Sequence, residues 1–160
     1  YRQFVLINIP DLSLTPRYKA KSAAEQKNAH DVTNYFNQEL AKAAKKLNDK
    51  YPVASIRIFD VNSIFNEVYD NPEKFGFDRA KLTTPYLESR DFKFKPRVTS
   101  PSDGYLYWDN SGHPTADTHA LLSKRFYEQF SSLYHFTAPK PEISHSQSAP
   151  TLTTRSAMAA

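Results

Sequence analysis

The sequence predicts an α/β fold built on a parallel β-sheet. Residues 4–9 form a nearly continuous apolar run that Pro10 stops, which is typical of a strand buried on both faces. A helical pattern of about seven turns follows, and residues 53–59 form a second apolar strand. Strand, long helix and strand in this order make a βαβ unit, whose crossover should be right-handed.

The long helix has clear signals at both ends. Ser22-Ala23-Ala24-Glu25 fits a capping box, and Tyr51-Pro52 stops the helical pattern. Between them, apolar residues recur at spacings of three and four, which predicts the face that packs in the core. These residues are Val32, Phe36, Leu40, Ala43 and Leu47.

The pattern beyond the second strand is less regular. Asn62 is expected to cap a short helix, and residues 71–104 predict a loop longer than compact domains usually contain unless it is functional. Thr115 is expected to cap a last helix that ends near Leu133.

Residues 1–135 are expected to form one portion of a domain. Residues 136–160, rich in Pro, Ser, Thr and Ala, are expected to form a disordered tail.

Composition removes several classes of function. The formal charge of +4 is modest and dispersed, and no basic motif is interleaved with aromatic residues, so we expect no nucleic-acid partner. The absence of cysteine excludes disulfides, thiol nucleophiles and cysteine–zinc sites. With only three glycines, the chain has no G-x-G-x-x-G loop, no P-loop and no G-x-S-x-G elbow.

Asp109 and His113 are the candidate catalytic residues. They lie four positions apart, Ser111-Gly112 between them is a turn signal, and Pro114 disfavours helical geometry for His113. A loop that ends on a capped helix is a suitable place to hold a catalytic histidine. A nearby aspartate could accept the Nδ1 proton, fix the tautomer and stabilise the imidazolium.

Two other interpretations of this segment stay open. Its residue types are common in ordinary loops, so the spacing also fits a simple exposed turn. A metal site formed by Asp109, His113 and His119 is less well supported, because no cysteine and no H-E-x-x-H spacing accompanies it. His119 lies on the apolar stripe of the last helix, which favours a packed residue over a ligand.

Three segments together resemble the C-terminal half of a GDSL-type esterase of the SGNH-hydrolase superfamily. They are Val5-Leu6-Ile7-Asn8-Ile9-Pro10-Asp11-Leu12-Ser13-Leu14-Thr15-Pro16, residues 71–77, and Trp108-Asp109 with His113-Pro114-Thr115. The likeness covers roughly residues 4–134. It is strongest to the secreted bacterial phospholipases A, lysophospholipases A and glycerophospholipid:cholesterol acyltransferases.

The resemblance implies a fold and a chemistry. The chain would be the C-terminal part of a three-layer α/β/α fold with a parallel sheet. The family cleaves or transfers lipid acyl esters with a Ser–Asp–His triad, in which His113 would be the general base and Asp109 would orient it. No cofactor is implied.

The chain departs from the family pattern in two respects. The family's nucleophile block and its oxyanion-hole blocks precede the strand with which this chain opens, so no serine here is assigned as the nucleophile. The family usually places two residues between aspartate and histidine, but three separate Asp109 from His113, and Asn110 occupies the usual position. Because an uncharged amide cannot stabilise an imidazolium as a carboxylate does, we expect Asp109 to reach His113.

The resemblance also implies partners and a location. The expected partners are a phospholipid or lysophospholipid substrate, a transient membrane surface, and the missing N-terminal half of the same domain. A lone βαβ unit would otherwise leave apolar strand edges and faces uncovered. The protein is expected to be secreted by a bacterium, either released or delivered to a host cell. The alternative is a catalytically inactive α/β module that binds lipid or protein, which the missing nucleophile motif favours.

Overall fold

The computed structural model describes residues 2–93 and 102–134. The predicted tail, residues 136–160, lies outside them. Short 3-10 turns at Leu12–Leu14, Pro72–Phe75, Arg79–Lys81 and Tyr86–Glu88 interrupt the loops. The strands and helices are β1 (Gln3–Ile7), α1 (Pro16–Lys19), α2 (Ala23–Lys50), β2 (Ser55–Phe59), α3 (Val61–Asp70) and α4 (Ala116–Phe130).

The predicted βαβ unit is confirmed. β1 and β2 pair in parallel, with Gln3 opposite Ser55 and Ile7 opposite Phe59, and α2 connects them. Near the end of α2, the Asn48 side chain bonds to both the N–H and the carbonyl of Ile56 at 2.8 Å. The crossover helix is therefore fixed to the backbone of the strand that follows it, and the fold is α/β.

The predicted packing face of α2 is wrong. Its buried residues are Ala29, Thr33 and Ala44. The Thr33 hydroxyl donates to the Ala29 carbonyl at 2.8 Å and accepts from the Leu12 N–H at 3.3 Å. Small side chains occupy this face because the helix lies close to the backbone that leaves β1, where large apolar residues would not fit.

The larger apolar residues of α2 and β1 face solvent instead. The exposed fractions are 53% for Val32 and 45% for Phe36 on α2, and 44% for Phe4 and 59% for Ile7 on β1. The prediction that the first strand is buried on both faces is therefore wrong for the described residues. Within them β1 has one neighbouring strand, so its other edge is open.

The hydrophobic core lies between the strands, α3 and α4. Phe59 at the end of β2 packs edge-on against Phe126 of α4, with ring centroids 5.2 Å apart. Leu106 and Tyr107 are fully buried in the same cluster. The segment that leads to Asp109 is therefore anchored in the core. The fully or nearly fully buried members of the cluster include Phe59, Phe65, Val68, Leu106, Tyr107 and Phe130.

α3 begins two residues earlier than predicted, and Asp60 rather than Asn62 is its N-cap. The Asp60 carboxylate accepts from the Ser63 N–H at 3.0 Å and from the Asn8 side-chain amide at 2.7 Å. The backbone N–H of Asn62 donates to the Asn8 Oδ1 at 3.1 Å. Asn8, just beyond β1, therefore holds the first turn of the helix that follows β2.

α4 ends at Phe130, about one turn before the predicted end. None of the helices in the described part of the chain is both long and apolar enough to cross a membrane.

Replacing Asp60 by alanine should destabilise the fold in a pH-dependent way. Partial burial raises the pKa of Asp60, but bonds from Ser63 and Asn8 outweigh it and leave the pKa below its ordinary value. A carboxylate whose pKa is lowered in the folded state stabilises the fold fully at pH values above its ordinary pKa. This contribution is lost as the pH falls through the folded-state pKa. We expect Asp60→Ala to lower the free energy of unfolding by about 1–2 kcal/mol at pH 7, measured by urea denaturation.

Asp31→Ala is the matched control for Asp60→Ala. Asp31 pairs with Lys27 on the surface of α2, and its side chain is 54% exposed. An exposed pair contributes little, so the loss should stay below about 0.5 kcal/mol. The effect of Asp60→Ala should shrink below about pH 4. Equal losses at pH 7 and pH 3 would contradict the assigned role of the Asp60 carboxylate.

Candidate active site

Asp109 and His113 are in hydrogen-bond contact. The Asp109 Oδ2 lies 2.7 Å from the His113 Nδ1. The Asp109 Oδ1 accepts from the backbone N–H groups of Ser111 at 2.9 Å and His113 at 3.2 Å. One carboxylate therefore shapes the loop and holds the imidazole. The His113 side chain is 73% exposed, and within the described residues its ring bonds only to Asp109, so Nε2 is accessible.

The loop that carries this pair is closed by its own backbone. Tyr107 and Pro114 form an antiparallel bridge, and the Trp108 N–H donates to the His113 carbonyl at 2.7 Å. Gly112 has φ = +97°, in the left-handed region that favours glycine. The tight turn brings the Asp109 carboxylate back to the ring despite the extra residue between the two positions.

A pair of tyrosines, of which Tyr107 is fully buried and Tyr69 half-buried, anchors the base of the loop. The Tyr69 hydroxyl of α3 donates to the Leu14 carbonyl at 2.8 Å and lies 3.1 Å from the Tyr107 hydroxyl. Burial raises the pKa of Tyr107 to about 12 and also raises the pKa of Tyr69. Both hydroxyls therefore stay protonated near neutral pH, and they connect the Asp109–His113 loop to the loop that leaves β1.

Thr115 caps α4, as predicted. Its hydroxyl accepts from the Thr118 N–H at 3.4 Å and donates to the Tyr105 carbonyl at 2.9 Å. Asp117 lies in the first turn, where a negative charge suits the helix dipole. His113 therefore lies two residues before the N-cap of an anchored helix.

The electrostatics of Asp109 suit a group that stabilises a cation. Partial burial raises the pKa of Asp109, but the bonds to His113 and to backbone N–H groups lower it by a larger amount. The pKa therefore lies below its ordinary value. The carboxylate is therefore ionised at neutral pH and can stabilise a protonated imidazole. The structure places Asp109, not Asn110, against the His113 ring.

The metal interpretation gains no support from the geometry. Within the described residues, no three histidine, aspartate or glutamate side chains are arranged to hold a metal ion. His119 is exposed, so its predicted packing in the core is wrong. Thr118 and Leu122 lie on the face of α4 that packs against the rest of the protein, so His119 lies on the solvent side.

A second aspartate–histidine contact was not predicted. The His30 Nδ1 lies 2.5 Å from the Asp11 Oδ2, and the other ring nitrogen of His30 lies 2.8 Å from the Asn34 side-chain amide. Asp11 also accepts from the Ser13 N–H at 2.9 Å. Both nitrogens of His30 are engaged, so this pair supports the loop after β1 and leaves no free base.

The chain belongs to the family of GDSL-like lipases and acylhydrolases, whose family model matches residues 1–126. The resemblance that the sequence motifs indicated is therefore confirmed at the level of the family.

Individual relatives come from bacteria and plants. The phosphatidylcholine-sterol acyltransferase of Aeromonas hydrophila is 25% identical, over 86% of this chain and 50% of that protein. The thermolabile hemolysin of Vibrio parahaemolyticus is 23% identical, over 84% of this chain and 34% of that protein. A GDSL esterase/lipase of Arabidopsis thaliana is 25% identical, over 76% of this chain and 32% of that protein. The chain spans about half the length of these relatives, or less.

Replacing Gly112 by alanine should strain the loop between Asp109 and His113. A Cβ at this position would lie 3.3 Å from the Thr15 Cγ2, on a backbone with positive φ. We expect the free energy of unfolding to fall by about 1–3 kcal/mol, measured by urea denaturation.

Gly76→Ala is the matched control, because Gly76 also has positive φ but a Cβ there meets nothing within 4 Å. Its loss in the free energy of unfolding should therefore reflect only the strain of a side chain on a backbone with positive φ. Combining Gly112→Ala with Thr15→Ser removes the Cγ2 and should recover the difference between the two glycine variants. Equal losses for Gly112→Ala and Gly76→Ala would show that the contact with Thr15 has no effect.

Proposed function

We propose that this chain supplies the acid–base pair of a lipid ester hydrolase or acyltransferase that works through a Ser–Asp–His triad. The observation that carries the proposal is the 2.7 Å contact between the Asp109 carboxylate and the His113 Nδ1 in a member of the GDSL-like lipase family. The narrower assignment is a phospholipase A or lysophospholipase A activity. Its support is the likeness to the Aeromonas protein, whose name couples phosphatidylcholine with a sterol.

The proposed chemistry follows from which ring nitrogen is engaged. With Nδ1–H donated to Asp109, the lone pair of Nε2 is free to take the proton of a serine hydroxyl as that oxygen attacks the ester carbonyl. The ionised Asp109 then stabilises the imidazolium. His113 returns the proton to the leaving alcohol, and the acyl group passes from the serine to water or to an acceptor alcohol.

The serine is proposed to lie in an upstream segment of the complete protein. The matched region is 50% of the Aeromonas relative, which leaves room in a protein of that length for a second half. The exposed His113 can be reached from outside the described residues. No serine of this chain lies in a family nucleophile motif.

The same upstream half is the proposed partner of the open side of the sheet. The free edge of β1 and the exposed apolar side chains of Phe4, Val32 and Phe36 would pair and pack with it. The proposal also includes secretion from a bacterium and transient contact with a lipid surface, supported by the likeness to the Aeromonas and Vibrio proteins.

The alternative of an inactive binding module is less well supported. A module that only binds lipid or protein does not need an ionised carboxylate that orients an exposed imidazole. The Asp109–His113 geometry therefore favours the enzyme.

Removing the imidazole should abolish triad-level catalysis. We expect His113→Ala in the complete protein to lower kcat by about 10⁴-fold or more, since loss of a triad member leaves only the residual rate. The assay measures release of fatty acid from phosphatidylcholine vesicles and hydrolysis of p-nitrophenyl esters. His119→Ala removes an exposed histidine of α4 and should stay within about twofold of wild type. Near-normal turnover of His113→Ala would remove His113 from the mechanism.

Exchanging the two candidate partners should show which one acts on the histidine. Asp109→Asn removes the charge that stabilises the imidazolium, and we expect kcat to fall by about 10³- to 10⁴-fold. Asn110→Asp adds a charge at an exposed position, while the ring stays bonded to Asp109, and should have little effect. If Asn110→Asp restored the activity of Asp109→Asn, position 110 would be the partner of His113.

A further inference from the structure

The backbone of the Asp109–His113 loop pairs Trp108 with His113. Trp108 and His113 are directly opposite in the short antiparallel pair, joined by the 2.7 Å bond from the Trp108 N–H to the His113 carbonyl. Opposite residues of an antiparallel pair project to the same face, and the residue next to them projects to the other. Tyr107 accordingly points into the core, while Trp108 shares the face of the imidazole.

The indole and the Phe92 ring together form an apolar wall. The rings of Trp108 and Phe92 pack edge-on with centroids 5.7 Å apart. The Tyr86 ring packs edge-on against both rings, with its centroid 5.8 Å from that of Trp108 and 5.6 Å from that of Phe92. The Leu87 N–H donates to the Trp108 carbonyl at 2.9 Å and so fixes the backbone that carries the indole. The wall therefore lies at the start of the Asp109–His113 loop.

The chemistry of the wall fits a neutral apolar chain. Neither of its two rings carries a charge. The nearby Asp91 is occupied by Lys81 at 2.9 Å and by the Tyr105 hydroxyl at 2.9 Å. A quaternary ammonium group binds over the open faces of rings. Edge-on packing of Phe92 against Trp108 closes the gap that such a cation would need between them.

We propose that Phe92 and Trp108 bind the acyl chain of the ester whose carbonyl reaches His113, and that they set the preference for chain length. This inference rests on the proposed function. A chain lying along the wall removes methylene groups from water, and each one should raise kcat/KM by about two- to fourfold. Longer chains should therefore be preferred until the wall ends.

The test is a chain-length series on the complete protein. The substrates are p-nitrophenyl acetate, butyrate, hexanoate and octanoate, kept below the concentration at which they form micelles. For Phe92→Ala and for Trp108→Ala, we expect the ratio of kcat/KM for octanoate to that for acetate to fall about tenfold, mainly through KM. Phe92→Leu keeps an apolar side chain and should keep the ratio within about threefold. Tyr127→Ala, which removes a 61% exposed ring on α4, should leave the ratio unchanged.

An unchanged ratio in both alanine variants, with esters still cleaved, would overturn the inference. A changed preference between phosphatidylcholine and phosphatidylglycerol without a changed chain-length ratio would assign the wall to the head group and would also overturn it.

A binding readout separates this inference from the proposed function. Trp108 is the only tryptophan of the chain, so a bromine-substituted fatty acid bound at the wall should quench its fluorescence in a saturable way. Trp108→Phe gives the background signal of the complete protein. If wild type cleaves no ester but shows quenching that Phe92→Ala weakens about tenfold, the wall binds acyl chains and the proposed function is wrong. If no saturable quenching occurs, the wall does not bind acyl chains.

Discussion

Both strands of the parallel sheet end at the same edge, and the segments that contact the loop of His113 follow these strand ends. The loop after β1 provides the Leu14 carbonyl and the Thr15 side chain, and the helix after β2 provides Tyr69. Parallel pairing brings these two segments together although they are far apart in sequence. The buried Tyr107 joins them and fixes the base of the loop that carries Asp109 and His113.

Two aspartate–histidine pairs show how the surroundings decide the role of an imidazole. Both have a carboxylate against Nδ1 and both carboxylates have depressed pKa values, since their hydrogen bonds outweigh the effect of burial. In His30 the second nitrogen is engaged by Asn34, whereas Nε2 of His113 faces solvent. The first pair is therefore a structural support, and the second is the one available for proton transfer.

Local signals in the sequence predicted local structure well. The capping box at Ser22, the cap at Thr115 and the turn that joins Asp109 to His113 all involve residues within four positions of one another. The parallel strand–helix–strand unit was also predictable, because its hydrophobic periodicities change in a fixed order.

The features that the sequence could not predict depend on the tertiary fold. Periodicity places the large apolar residues of α2 in the core. The helix instead lies so close to the chain leaving β1 that Ala29 and Thr33 fit there and Phe36 does not. The contact between Asp11 and His30 spans 19 positions and that between Tyr69 and Tyr107 spans 38, so neither has a local pattern.

The central claim is that His113 serves a serine that lies outside this chain. The most direct measurement is to label the complete protein with a fluorophosphonate, which reacts with an activated serine hydroxyl, and to map the modified residue by mass spectrometry. The account predicts one labelled serine upstream of residue 1 and loss of labelling in His113→Ala, with labelling unchanged in His119→Ala. A labelled serine within residues 1–160, or labelling that does not depend on His113, would contradict it.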